Sequence, residues 1–225
     1  MNTPSIPLNA DQTAFLDELN AKVKEFRYNL YDHYSPMAKL IEYNGGCREI
    51  YRNENGKPVL YLKRYYLYRG PEREAMIHQF FLGDKGPLHD HPSDSWGRIL
   101  ETGYYERLCK WMDFKGYDEY KNPIATTEGE HEVDRKPGDW SYRPGSTALH
   151  VNFEGFHKVK LRTPDDAGKV WTFFVMEKRN ENSWGFRDNN GHFVPFDQMN
   201  KQENVNSMQS SPDQYGYGWF PKRVK

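Results

Sequence analysis

Residues 86–97 read GPLHDHPSDSWG, and within them His89 and His91 stand one residue apart. On a strand, that spacing sends both imidazoles out of the same face of the sheet. Two neutral imidazoles converging on one point are the beginning of a metal site. A solvated or hydrogen-bonded pair has the same spacing, so the metal reading needs a third ligand. The chain offers two candidates, His150 and His157. His157 opens the alternating stretch HKVKL, in which His157, Val159 and Leu161 share a face; His150 alternates with Asn152 in the same way. Asp94 is a possible fourth ligand, or a turn residue after Pro92. His78 reads as a packing or hydrogen-bonding residue on a neighbouring strand, and at most as a support behind the ligands.

Other side chains could do chemistry beside an ion. Tyr104, Tyr105 and Tyr142 are candidate acids or radical partners, and nothing in their spacing selects among them. Arg98 and Arg143 could hold a carboxylate with two parallel hydrogen bonds, or could be solvated rim residues. Glu106 reads as a rim charge, whereas Glu101 could face a pocket.

The elements that must position these residues are mostly strands. Residues 10–31 carry an apolar stripe at helical spacing, Phe15, Leu19, Val23, Phe26 and Leu30, behind a capping Asp11. SPMAKLIEYN (35–44) reads as a second short helix ending at Asn44-Gly45-Gly46. From Cys47 the period changes: CREIYRN and KPVLYLKRYYLYRG form a hairpin around Asn55-Gly56. Further strand segments are residues 75–83, 96–111, 130–153, 156–163 and 170–179, each rich in β-branched and aromatic residues and punctuated by Gly and Pro. Short strands with almost no helix between them predict a mainly β sandwich or barrel, with helices at the N-terminus. The expected division is an N-terminal helical extension (1–46), a β-barrel (47–196) and a polar, aromatic tail (197–225) that can pack through Tyr215, Tyr217, Trp219 and Phe220.

The segment from Gly83 resembles the first signature of the cupin superfamily, in which a glycine precedes His-x-His by five residues and a second glycine closes the motif. Gly83, His89, His91 and Gly103 match; the glutamate of the signature does not, because Trp96 or Ser95 occupies its place according to the spacing used. Enzymes resembling cysteine dioxygenase also lack that glutamate, read His-Asp-His, and hold iron with three histidines. A closer resemblance, over residues 77–196, is to a group of small cupins with Leu-His-Asp-His-Pro, then Leu-x-x-Gly-Tyr-x-Glu, Pro-Gly-Ser, a later histidine and Trp-Gly-Phe. Here these are Leu88–Pro92, Leu100–Glu106, Pro144-Gly145-Ser146, His157 and Trp184-Gly185-Phe186. The resemblance implies a jelly-roll barrel, also called a double-stranded β-helix, and a metal on His89, His91 and His157, with His150 the alternate third ligand. It also leads us to expect Trp-Gly-Phe to close the barrel, its glycine allowing a close backbone approach.

Composition narrows the function. Thirty-one basic and thirty-two acidic residues give no electrostatic case for nucleic acid or a membrane surface. Two cysteines make no disulfide framework, and the N-terminus lacks a secretory pattern, so a cytoplasmic location is expected. Three imidazoles leave open positions on an octahedral ion, which suits Fe(II) binding both a small substrate and dioxygen; zinc or nickel would accept the same set. The expectation is a metal-dependent oxygenase acting on a thiol or small acid, with ion occupancy falling below about pH 6 as the imidazoles protonate. The alternatives are a non-redox cupin that binds a metal or small ligand, and a cupin isomerase or epimerase. A homodimer through edge strands is also expected to be possible.

Overall fold

The structure, a computed structural model, describes residues 10–11, 13–14, 17–18, 36–112, 115–116, 118–120, 124, 126–145, 156–178 and 184–195. The described residues between 10 and 18 are helical, as the apolar stripe predicts; the other residues of the expected 10–31 segment and the tail after 195 lie outside the described residues. The helix α1 (Pro36–Tyr43) ends where Asn44 turns its side-chain amide back onto the Leu40 carbonyl, before Gly45 and Gly46. No helix among the described residues is long and apolar enough to cross a membrane.

Among the described residues eleven strands follow, and the architecture is mainly β and antiparallel, consistent with a jelly roll. They are β1 (Cys47–Glu54), β2 (Lys57–Arg69), β3 (Arg73–Phe80), β4 (Ser95–Glu101), β5 (Tyr104–Met112) and β6 (Thr126–Arg135), then β7 (Trp140–Arg143), β8 (Phe156–Lys160), β9 (Val170–Glu177), β10 (Gly185–Arg187) and β11 (Phe193–Pro195). The first sheet has the order β1-β2-β3-β9-β4-β7. The second joins β6-β5-β8 to the pair β10-β11 through the Leu88–Asp90 segment, in which His89 bridges His157 on β8 and Phe186 on β10.

The predicted hairpin forms as β1 and β2, closed at Asn55-Gly56. Residues 96–111, by contrast, are not one segment. β4 belongs to the first sheet and β5 to the second, and the chain changes sheet at Thr102-Gly103. Gly103 has a φ of +86° and sits against the Arg135 backbone, where a Cβ would come within 2.2 Å of the carbonyl oxygen. Only glycine permits a corner that tight.

Alternation sorts each strand into two faces. Between the sheets, Leu62, Phe80, Ile99 and Val170 of the first pack on Tyr104 and Val159 of the second. On the outer face of the first sheet, Leu67, Ala75, Ile77, Phe173 and Val175 are covered by Ile41 and Leu40 of α1. The register β2-β3-β9 aligns Arg64, His78 and Thr172 across the inner face. A polar row therefore lies beside the apolar one inside the molecule.

Candidate metal centre

The His-Asp-His segment is a one-rung strand wedged into the second sheet. His89 N donates to the His157 carbonyl (3.0 Å) and His157 N returns the bond to His89 (2.8 Å). On its other side, Asp90 N donates to the Gly185 carbonyl (3.1 Å), and the buried Asp90 carboxylate accepts from Gly185 N (2.7 Å). The aspartate between the histidines is thus the clamp that pins them to β10. Gly185 is required there because a Cβ would lie 2.1 Å from the Val194 carbonyl oxygen. Trp-Gly-Phe closes this side of the barrel as expected.

The pairing sends His89 and His157 to the same face. The ligand nitrogens of His89, His91 and His157 all lie within 4.8 Å of one another, and each residue is partly exposed. The ring centroids of His157 stand 4.9 Å from His89 and 4.6 Å from His91. His150 lies outside the described residues. Asp94 is not in the cluster: it accepts from Gly145 N (2.7 Å) and from the Tyr142 hydroxyl, because its turn faces β7.

Two of the rings are fixed at their far nitrogens. His157 Nδ1 is 2.8 Å from Glu106 Oε1, and His91 Nδ1 is 3.0 Å from Ser95 Oγ. A carboxylate only accepts, so His157 carries a proton on Nδ1, and its neutral ring then presents a bare Nε2. That nitrogen lies 2.9 Å from His91 Nε2. Since serine can donate or accept, the pair can be met by a proton on His91 or by a cation between the rings. Two nitrogens bound at 90° to one first-row ion at about 2.05 Å stand about 2.9 Å apart, so the donor set fits a divalent metal. A ring held by a carboxylate or hydroxyl behind it is the usual support of a metal-binding histidine.

Burial and the neighbouring histidines favour the neutral rings. Burial first, then the His157 charge, lowers His89 to about 4. Burial, His157 and His89 place His91 well below the ordinary imidazole range.

Glu106 corrects the sequence expectation: it is buried to 1% exposure, not a rim charge. Arg143 holds it in a fork, Nε to Oε1 at 3.2 Å and Nη2 to Oε2 at 2.5 Å, and Arg135 Nε adds a bond of 2.6 Å. Burial by itself would raise its pKa, but Arg143, the His157 hydrogen bond and Arg135 outweigh that and hold it well below the usual carboxylate range. Arg143, likewise, is 3% exposed and spends its guanidinium on Glu106 and on the Tyr142 carbonyl, so it is not a solvated rim residue, and its fork is already taken by Glu106. Glu101 is exposed at the end of β4. Ser95, not Trp96, occupies the inner face at the place of the expected glutamate, because Trp96 points to the other face against Tyr142.

The remaining candidates separate by strand parity. Arg98 alternates with Ile99 and so leaves the outer face, where its guanidinium lies over Trp140 (5.5 Å). Tyr105 also faces outward, beneath Lys160 and Arg162. Tyr104 points inward and is buried against Phe80; burial, then the Glu106 charge, raises its pKa and keeps it neutral. Tyr142 is raised in the same way by burial and Asp94.

One inward cation escaped the sequence analysis. Arg64 donates from Nε to His78 Nε2 (3.1 Å), and no carboxylate among the described residues lies within ion-pair distance of it. His78 packs as expected, stacked on Phe174 (5.2 Å), which in turn meets the His91 ring edge-on (5.7 Å). Burial and Arg64 keep His78 neutral. A strand pattern of KRYYLYR gave no reason to single out Arg64; only the register with His78 does.

No protein-family model matches the chain, and no curated protein does either. Solved structures do. A cupin-2 domain from Rhodospirillum rubrum is 14% identical over 65% of this chain and 78% of its own, with a TM-score of 0.40. A protein of unknown function with a cupin-like fold from Ralstonia eutropha is 15% identical, covering 60% of this chain and 64% of its own, at 0.35. The Fe(II) form of HppE is 14% identical, covering 59% and 56%, at 0.33. This chain thus spans less than two thirds of the last two. The structural neighbours are cupin-fold proteins.

Proposed function

We propose that this protein is a metal-dependent cupin that holds Fe(II) on His89, His91 and His157 and oxidises a small anionic substrate with dioxygen. The observation that carries the proposal is the histidine cluster, partly exposed, with two rings fixed from behind by Ser95 and Glu106 and no carboxylate among the clustered ligand atoms. Three neutral ligands leave the ion its full double charge and open positions for substrate and dioxygen, so bound ferrous iron would supply the electrons and the meeting point for both.

The chain's own residues supply the rest. Glu106 keeps the proton on Nδ1 of His157, and Ser95 fixes the orientation of His91. Arg64 is the group suited to a substrate carboxylate: its terminal nitrogens can form a fork, and its charge has no acidic partner among the described residues. Phe174 stands between Arg64 with His78 and the histidines, and its ring provides an apolar wall for the carbon skeleton of such a substrate.

The test is anaerobic reconstitution with Fe(II), metal analysis, and oxygen uptake with a panel of small thiols and carboxylic acids. The expected result is about one iron per chain and substrate-dependent oxygen consumption, with Arg64→Gln raising KM while iron content stays unchanged. Failure to retain iron, or oxygen uptake indifferent to every substrate, overturns the proposal.

A further inference from the structure

The second sheet carries another concavity on its reverse. A cleft of about 410 Å³ opens between the Gly86–Leu88 segment, β5, β8 and β10. Its cations come from three neighbouring positions. Arg107 on β5 is paired directly with Lys158 on β8, and Arg187 on β10 joins the row where its N–H donates to the Leu88 carbonyl (2.8 Å). Each follows a residue of the inner face in sequence, namely Glu106, His157 and Phe186, so alternation turns all three away from the histidines.

Like charges directly opposed on adjacent strands are unfavourable without a counter-charge. Among the described residues the cleft supplies two carboxylates, Glu130 and Asp188, against the three cations. Glu130 accepts from both Arg107 and Arg187. Asp188 is committed to its own turn, its Oδ1 accepting from Asn190 N and His192 N at 2.8 Å each. Among the described residues the Lys158 ammonium donates only to the Gly86 carbonyl (2.6 Å), and no carboxylate lies within ion-pair distance of it. Among the described residues, three cations and two carboxylates therefore line the cleft, Asp188 is tied to its own turn, and Lys158 has neither carboxylate within ion-pair distance. Leu88 and Val194 give the cleft an apolar edge.

We propose that this cleft is a second ligand site, separate from the histidine cluster, for a small dianion of the phosphate-monoester type. Two guanidinium groups and one ammonium converging from three strands match the several acceptor oxygens of a phosphate, and a monoester's carbon portion meets Leu88 and Val194.

The experiment is calorimetric titration of the full chain, treated with EDTA, with inorganic phosphate at constant ionic strength balanced by chloride. Saturable phosphate binding is expected. Lys158→Gln and Arg107→Gln should each weaken it by about tenfold, the loss of one charge-assisted hydrogen bond. Both are on the outer face, and circular dichroism checks that they fold; Arg187→Gln replaces either one that does not. Arg64→Gln should bind phosphate as the native chain does, because Arg64 lies on the inner face of the other sheet. A response no larger than that of chloride, variants that bind like the native chain, or loss of binding in Arg64→Gln would overturn the proposal.

Discussion

A carboxylate inside a protein persists only where charge and hydrogen bonds replace its water, and Glu106 receives four such bonds, two from Arg143 and one each from Arg135 and His157. Glutamine at this position keeps the shape but removes the charge, takes from two guanidinium groups the carboxylate they share, and no longer fixes the His157 proton. Glu106→Gln should therefore lower stability by about 3–5 kcal/mol, as breaking a buried pair does, and weaken metal affinity by about 10–100-fold. Urea denaturation and a competitive metal titration measure the two effects separately, and a native-like value in both would remove Glu106 from its assigned role. Ser95→Ala is a milder change. It deletes one hydroxyl at 3.0 Å from His91 Nδ1, so metal affinity should fall by less than in Glu106→Gln while stability shifts by about 1 kcal/mol. His91→Ala should abolish metal retention in equilibrium dialysis and leave the far-ultraviolet dichroism of the fold in place; retention of metal there would exclude His91 as a ligand.

At the scale of elements, the site is built by how one rung of chain enters a sheet. Gly185 and Asp90 make that entry possible, and alanine at 185 would put a methyl group 2.1 Å from the Val194 carbonyl. Gly185→Ala should push β10 off β11, release the Asp90 clamp and cost about 3 kcal/mol or more, read as a lowered thermal midpoint together with weakened metal binding. If only the midpoint moves, β10 does not position His89. The elements also explain what could be read from the chain. Period-two alternation and turn residues were sufficient for the β1-β2 hairpin, for β8 and β9, and for the shared face of His89 and His91, because these are local properties. Which strand meets which is not local. β4 and β5 are separated by two residues yet enter different sheets, and this assigns Arg98 and Tyr105 to outer faces, Glu106 to the interior and Ser95 to His91. Arg64 and His78 likewise meet only through register across β2 and β3. Residue type gave no hint of Glu106 as the support of His157, since fifty intervening residues determine whether a glutamate on one strand faces a histidine on another.

For the whole molecule, the consequence is a protein whose two sheets enclose an apolar layer at one end and ionisable groups at the other, so its stability depends on pH in two separate windows. Above pH 6.5 His89 is neutral both folded and unfolded and contributes nothing to the pH dependence. Below 6.5 the unfolded chain binds a proton that the folded one, with His89 at about 4, refuses; stability falls with pH until about 4 and then levels for this group. Between pH 7.5 and 5 the loss from His89 is about 2 kcal/mol, with His91 and His78 displaced in the same direction. Glu106 acts in the opposite sense of shift: its folded pKa is lowered, so its contribution is complete above the ordinary carboxylate pKa of 4.5 and is lost only as pH falls from there towards the folded value. Urea unfolding of the metal-free protein at pH 7.5, 6.5, 5.5 and 5.0 isolates the histidine window. His89→Asn should flatten the curve there by about 2 kcal/mol, and an unchanged slope would mean that His89 is solvated in the metal-free protein. A divalent ion at a hundredfold excess over its Kd should add about 2.7 kcal/mol at pH 7.5 to the native chain and nothing to His89→Asn. Because that added stability requires neutral rings, it should decline only as the imidazoles themselves protonate, which for His89 places the loss well below the pH of about 6 expected of a solvated histidine.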